Sequence, residues 1–320
     1  MTRFDKDETT RSDGNDRFDR PVVRHLRAVA SLVRVPNLFT APPDVVLGAA
    51  LVAGLGRTVS PRSVVGVAAA SVLLYAAGTT LNDYFDAAED ARHRPERPIP
   101  SGAVSRTQAL ALGLSLLVAG VAAAFLVGGP SAGAVSAVLA LLIVGYDAGL
   151  KGSLPGYLAM GSARGTNVVL GTTAAASPVE LPPAVLFVPV VVALYIGAVT
   201  FMAEGETETG GRAAVGVGVV GAGLAAVGVA GALVLRSATG ADAIVSLAFL
   251  VLFLVWVGRP LSAAFSDPTP ATIGPAVGAC VLGLVLLTAA FAGAVSPAWA
   301  LAASAFFVPA FALSRAFDVS

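Results

Sequence analysis

The chain has 320 residues, 56% of them hydrophobic and only 12% charged, with a mean hydropathy of +0.82 and a net charge of zero. About a quarter of residues are charged in soluble domains, so this composition excludes a soluble globular protein, and zero net charge removes the electrostatic case for a nucleic-acid partner. The single Cys280 allows no intrachain disulfide and reads as packing; with only His25 and His93, any metal site must be built from carboxylates, which points to Mg²⁺ or Mn²⁺.

Residues 1–20 are polar and mixed in charge, without the apolar core of a signal peptide, and read as a disordered cytoplasmic tail ahead of a single transmembrane domain, 21–320. Apolar segments of spanning or near-spanning length then recur: Leu38–Gly56, Val64–Leu81, Ala109–Val127, Ala132–Val144, Tyr157–Ala176, Ala184–Ala203, Ala213–Leu235, Ala243–Val257, Ile273–Val295 and Ala298–Leu313. The fifth is the least apolar. Backbone groups inside lipid must be satisfied within a helix or a closed barrel, and no barrel-like alternation is visible, so all ten are read as helices. Abundant Gly and Ala suit close helix–helix packing.

With the N-terminus inside, Arg24, Arg27, Arg34, Arg92, Arg94, Arg97, Arg106, Lys151, Arg212, Arg259 and Arg315 fall on the cytoplasmic side, and only Arg57, Arg62 and Arg236 on the other. The positive-inside rule favours that orientation in the cell membrane and places every conspicuous polar motif on the cytoplasmic face.

The most informative stretch is Asn82-Asp83-Tyr84-Phe85-Asp86-Ala87-Ala88-Glu89-Asp90. On a helix Asp83, Asp86 and Asp90 share one face, with Asn82 at its border, and three like charges on one stripe call for a cation among them. The following Arg94-Pro95-Glu96-Arg97-Pro98-Ile99-Pro100-Ser101-Gly102 ends the helix, stiffens the loop and brings arginines within reach of the same phosphates that carboxylate-bound Mg²⁺ prefers. The alternative is a solvated helix end with local Asp–Arg pairs.

Three further constellations stand beside it. Arg34-Val35-Pro36-Asn37 precedes the first span, with Asp44 about two turns further in; Asn37 is a metal or phosphate contact, or else a cap beside a snorkelling Arg34. Tyr146-Asp147-Ala148-Gly149-Leu150-Lys151 is followed by Arg164, Asn167 and Gly171 on one helical face, a polar stripe that turns toward a cavity, where Lys151 and Arg164 add positive charge; the plainer reading is an Asp147–Lys151 pair at a helix end. Thr200-Phe201-Met202-Ala203-Glu204-Gly205-Glu206-Thr207-Glu208 follows the sixth span as the Asp-rich stretch follows the second, an offset of four helices that suggests two four-helix halves around one cavity.

These residues resemble the UbiA family of intramembrane prenyltransferases. NDYFDAAED with RPERPIPSG looks like that family's first Asp-rich motif and its loop, Tyr146-x-x-x-Leu150-Lys151 is similar to its YxxxLK element, and Arg34-x-x-Asn37 matches its N-terminal element. The motif-bearing part covers roughly residues 30 to 212, and the MGSARGTN stretch with Thr200–Glu206 looks most like the EboC-like branch.

The resemblance implies an all-α polytopic bundle of nine to ten transmembrane helices, in two pseudo-repeated halves around a central cavity. It also implies two Mg²⁺ ions holding the diphosphate of an isoprenoid donor. Carried over, Asn82, Asp83, Asp86 and Asp90 serve the first metal and Glu204, Glu206 and Glu208 the second. Asp83, Asp86 and Lys151 are the catalytic set, and Asn37, Arg92, Arg97, Lys151, Arg164 and Asn167 contact the diphosphate. One departure is plain: aligned on Glu204-Gly205-Glu206, the second motif has Met202 where the family has its first Asp.

The implied activity is Mg²⁺-dependent transfer of an isoprenyl group from a prenyl diphosphate to a lipophilic or small acceptor, leaving open aromatic acids, quinone precursors, glyceryl phosphates and polyols. A non-catalytic relative that binds or transports isoprenoids is the rival. A CDP-alcohol phosphatidyltransferase is disfavoured, because its Asp-Gly-x-x-Ala-Arg pattern is missing, and hydropathy excludes a soluble terpene synthase.

Overall fold

The computed structural model describes residues 21–204 and 211–316; the N-terminal tail and both Glu206 and Glu208 lie outside the described residues. The described chain is helical, in the order α1 (Pro21–Leu32), α2 (Val35–Leu38), α3 (Pro42–Ala53), α4 (Pro61–His93), α5 (Arg106–Gly145), a π-helical turn (Tyr146–Leu150), α6 (Leu154–Thr172), α7 (Phe187–Glu204), α8 (Gly211–Leu235), α9 (Gly240–Ser266), α10 (Pro270–Gly293), α11 (Pro297–Ser304) and α12 (Phe307–Ala316). Proline sits in the first turn of α3, α4, α6, α10 and α11, where its missing N–H has no helical partner to lose. Ser105 and Gln108 form a capping box at the start of α5.

Eight described helical stretches are long and apolar enough to cross a membrane, so the chain is a multi-pass membrane protein. One of the eight is two passages. Within α5, Gly129 has φ 70 and ψ −162, followed by Pro130, and the helix folds back there. A side chain on Gly113 would strike Leu81, and one on Gly78, a turn earlier on α4, would meet Ile143. Residues 113 and 143 therefore lie at nearly the same level of α4, whereas an unbroken helix would hold them about 45 Å apart. The halves 106–128 and 130–145 match the third and fourth sequence segments. The helix missing from the eight is α6, too polar by composition yet largely buried inside the bundle. With the broken α2–α3 and α11–α12 pairs each counted once, the described residues hold ten helical segments, one for each apolar segment of the sequence.

Successive helices neighbour one another around the bundle, α10 closes it against α3, and α3 and α6 cross at the centre. Glycine makes that crossing. A Cβ on Gly48 would stand 2.0 Å from the Val168 carbonyl oxygen, and one on Gly171 would stand 2.2 Å from that of Val45. The contact is reciprocal, because 171 − 48 and 168 − 45 are both 123. The polar contacts obey the same exchange: Asn167 meets Asp44 directly, while Asn167 to Ala41 is matched by Arg164 to Asp44. Contacts of this kind arise across a two-fold axis, and they give the sequence repeat a geometric basis in which α3 corresponds to α6 and α4 to α7.

At the end of the bundle away from the acidic stretch, Arg236 donates to the carbonyls of Gly54 and Ala294, both at 3.2 Å, and so ties off the C-termini of α3 and α10. Outward-facing Val65, Leu126, Leu141, Val227 and Val255 are exposed, as expected of lipid-facing positions. Since lipid is as apolar as these side chains, cohesion comes from close packing of small residues. Gly171→Ala should therefore destabilise the protein by about 1–3 kcal/mol through overpacking against backbone. Gly223→Ala, which meets open space, should be neutral. Thermal unfolding in detergent micelles checks the pair.

Candidate functional site

Helix α4 runs beyond its apolar part for three more turns, which carries the Asp-rich stretch out of the bundle with one face still covered. Asp83 and Asp90 are buried and Asp86 half-buried on that face, whereas Glu89 points outward. The proline-rich loop then folds back, fixed by Ser101 N–H to Arg97 O and Val104 N–H to Pro98 O, with Ile99 packed near Leu32, Val104 and Ala109. This return places Arg97 Nη1 2.9 Å from Asp90 Oδ2 and 3.5 Å from Asp83 Oδ1.

Two other segments converge on the same face. Arg34, between α1 and α2, has φ 49 and ψ 59, a left-handed conformation that is uncommon for a residue with a side chain and costs roughly 1–2 kcal/mol. It directs Nη2 onto Asp83 Oδ1 at 2.9 Å and Asn82 Oδ1 at 3.3 Å. Beyond α5 the chain widens into a π turn closed by Lys151 N–H to Tyr146 O, a form of helix end common at functional sites. Lys151 Nζ then pairs with Asp86 Oδ2, and Asp147 Oδ1 accepts from Asn82 Nδ2 at 3.0 Å. The plainer reading, a local Asp147–Lys151 pair, is not what forms; both side chains take longer-range partners. Across the gap, Glu204 at the end of α7 has its carboxylate 3.9 Å from the position a Cβ would take on Gly152.

Behind this cluster lies a cavity of about 300 Å³. Arg34, Asn82, Asp147 and Lys151 stand at its mouth, Leu74, Leu139, Leu142, Ile143 and Met160 form apolar walls, and Ser71, Tyr75, Arg164 and Asn167 line its deep end. Five carboxylates gather around the mouth (Asp83, Asp86, Asp90, Asp147 and Glu204) against three basic side chains, Arg34, Arg97 and Lys151. Negative charge is in surplus. Among the described residues no three acidic, His or Cys side chains converge into a ready-made cation cage. The described ion pairs occupy a single oxygen on each of Asp83, Asp86 and Asp90. Oxygen-only donors in negative surplus fit a hard divalent cation that takes a few carboxylates and completes its shell elsewhere.

Four expected contacts are not brought to the mouth. Arg164 and Asn167 lie two to three turns deeper, held by the interruption between α2 and α3. Pro42 and Pro43 have no N–H, Asp44 N–H bonds the Ala41 carbonyl instead of that of Thr40, and a carbonyl freed at this depth requires another donor. Arg164 Nη2 supplies it to Thr40 O at 2.9 Å, and Asn167 Nδ2 donates to Ala41 O and Asp44 Oδ2, each at 3.0 Å. Ser71 donates to Asn167, and Arg164 Nη1 stands 3.4 Å from fully buried Asp44. Arg92 turns outward and donates to Ala88 O on its own helix. Asn37 is half-buried in α2, and its backbone carbonyl, not its side chain, makes the described bonds, to Thr40. Met202, at the departure from the second motif, is fully buried against Gly218.

A polytopic helical bundle with an acid-rich, arginine- and lysine-studded mouth over an apolar cavity defines a class of intramembrane proteins suited to an amphiphile with an anionic head. The sequence pattern of the UbiA prenyltransferase family matches residues 45–261, and the chain belongs to that family. Among curated relatives, a digeranylgeranylglyceryl phosphate synthase of Ignicoccus hospitalis is 40% identical over 152 residues, 47% of this chain and 48% of the relative. One from Haloquadratum walsbyi is 39% identical over 140 residues, 43% and 47% of the two chains. The matched region thus spans about half the length of these relatives. A solved UbiA homolog from Aeropyrum pernix superposes with a TM-score of 0.64 at 20% identity, covering 79% of this chain and 96% of that one. A homolog from Archaeoglobus fulgidus, bound to DMAPP and Mg²⁺, gives 0.57 at 15% identity, with 87% and 99% coverage. At these identities the structural likeness is one of fold.

Replacing Arg97 with Met leaves buried Asp90 without its described partner, removes the weaker of the two from Asp83, and should lower stability by about 3 kcal/mol. Adding Asp90→Asn should recover part of that loss, and a double-mutant cycle read by thermal unfolding measures the coupling.

Proposed function

We propose that the chain is a membrane-embedded prenyltransferase that moves an isoprenyl group from a prenyl diphosphate to a lipophilic or small acceptor in an Mg²⁺-dependent reaction. The carrying observation is the junction of the acid-and-base cluster with an apolar cavity in a protein of this family. Asn82, Asp83, Asp86 and Asp90 would hold one Mg²⁺, and Glu204 with Glu206 and Glu208 a second. The metal, when bound, supplies Lewis-acid neutralisation of charge on the departing diphosphate.

The protein's own groups do the rest. Arg34 and Lys151 stabilise the negative charge that grows on the bridging oxygen as the allylic C–O bond breaks, and Arg97 holds Asp83 and Asp90 in place. Asn82 holds Asp147 at the mouth, and the apolar walls on α4, α5 and α6 take the first isoprene units and keep water from the carbocation-like carbon. The acceptor then attacks that carbon and loses its proton. The relatives' name makes a product of the digeranylgeranylglyceryl phosphate type the first to look for.

Residues 21–320 act as one domain in this reading. The acidic mouth faces the cytoplasm across the cell membrane, because the basic residues cluster at its end of the bundle. The likeness of MGSARGTN to the EboC-like branch supports a substrate range of its own. A second reading, a binder of prenyl diphosphates without turnover, is favoured by one feature: Met202 fills a packed position where a metal-binding Asp would be needed.

The test is transfer of label from radiolabelled geranylgeranyl diphosphate, in purified membranes, to a panel of acceptors, with products identified by mass spectrometry. EDTA should abolish transfer and added Mg²⁺ restore it. Asp83→Ala and Asp86→Ala should each lower the rate by about 10²-fold or more. Wild-type rates in both variants would sink the enzyme reading, and tight binding without diphosphate release would favour the second.

A further inference from the structure

We propose that Arg34 and Lys151 are exchange cations. They pair with Asp83 and Asp86 until a divalent metal and a diphosphate arrive together, and then pass from the carboxylates to the phosphate oxygens. This inference rests on the prenyl diphosphate reading above.

The charge arrangement creates the need. Each basic side chain that reaches the cluster already sits on a carboxylate: Arg34 on Asp83, Arg97 on Asp83 and Asp90, Lys151 on Asp86. A bare diphosphate entering the mouth meets cations that are already neutralised, within a surplus of negative charge. A bare divalent cation meets carboxylates whose nearest oxygens are engaged. Each ligand removes the other's obstacle, since the metal takes over the carboxylates and frees the ammonium and guanidinium groups for the phosphates.

The geometry separates the movable cations from the fixed one. Arg34 and Lys151 line the cavity, whereas Arg97 does not. Arg34 sits in the left-handed link between α1 and α2, and Lys151 precedes Gly152, which has φ 73, so neither lies within a helix. The Lys151 side chain is 38% exposed, which leaves its head room to swing. Arg97 instead spans two carboxylates from a loop stiffened by Pro95, Pro98 and Pro100, with its side chain 15% exposed. Arg97 is therefore the fixed counter-charge to Asp83 and Asp90, and Arg34 and Lys151 are the pair that exchanges.

Metal and diphosphate must then bind with strong mutual coupling, and each raises the other's affinity by the same factor. The full chain in detergent micelles, titrated with Mn²⁺ and followed by the electron paramagnetic resonance of free Mn²⁺, with and without inorganic pyrophosphate, measures this directly. Wild-type protein should bind Mn²⁺ weakly alone and at least tenfold more tightly with pyrophosphate. Lys151→Met should bind Mn²⁺ alone roughly fivefold more tightly than wild type, because a partly exposed ion pair no longer competes, while its gain from pyrophosphate shrinks. Arg34→Gln should move in the same direction. A residue that only holds the fold would not improve metal binding when removed. If both variants keep the wild-type melting temperature and bind Mn²⁺ no more tightly, the exchange is wrong and the prenyl diphosphate reading stands. A wild-type chain that binds neither Mn²⁺ nor pyrophosphate overturns both.

Discussion

A backbone carbonyl freed from its helix inside a membrane has no water to turn to, and this constraint organises the centre of the protein. Pro42 and Pro43 interrupt the first passage, the Thr40 carbonyl loses its helical partner, and α6 must bring donors to the gap. Arg164 and Asn167 can reach only if α6 lies almost against α3, and Gly48 and Gly171 permit that approach. Asp44 follows, since a guanidinium at this depth is tolerable only beside a carboxylate. The interruption in turn lets the chain ahead of α3 turn aside, with Arg34 between two short helices facing α4. The deep polar stripe is thus a brace, and the cluster at the mouth depends on where it holds the leading segment.

At the mouth the governing effect is charge in a half-desolvated place. Asp83 and Asp90 share one face by helix periodicity, Arg97 offsets the charge of burying both, and the folded-back proline loop is what delivers Arg97. The resulting cluster is under-neutralised on its acidic side, the condition for recruiting a divalent cation and, through it, an anion. Beyond the mouth the lining changes within a turn or two to leucine, isoleucine and methionine, so one continuous space is polar at its rim and apolar in its middle. An amphiphile with a diphosphate head matches both parts.

Much of this was legible in the sequence. The Asp83/Asp86/Asp90 face, the ten apolar segments and the division of the third from the fourth all follow from periodicity and hydropathy, signals local to each segment. What stayed hidden depends on contacts distant in the chain. The stripe Arg164–Asn167 announces that it faces inward, but its partners are mostly main-chain carbonyls of a broken helix, which no residue letter marks. Lys151 and Asp147 look like a local pair at a helix end; the π turn rotates them apart, toward Asp86 and Asn82 some 65 residues away. Arg34 reads equally well as a snorkelling side chain, because a left-handed φ at a non-glycine has no sequence signature. Arg92, which sits beside the acidic stretch in sequence, falls outside the cluster because α4 is still helical there and points it away.

The reciprocal crossing also bears on how the two halves of the chain differ. Across a two-fold relation, position 44 faces position 167, so a carboxylate at both would set two buried like charges against each other. The protein instead has Asp44 opposite Asn167, and at the next equivalent pair the small Ala41 offers a carbonyl while Arg164 supplies charge. One half accepts and the other donates. The same offset of 123 carries Asp83 onto Glu206, while the thinning of acids after α7, with Met202 packed into the core, leaves the first half with most of the carboxylates. Divergence between the halves thus suits a duplicated bundle whose axis runs through polar groups in lipid, and the unequal acidic motifs of the sequence go with the complementarity at the centre.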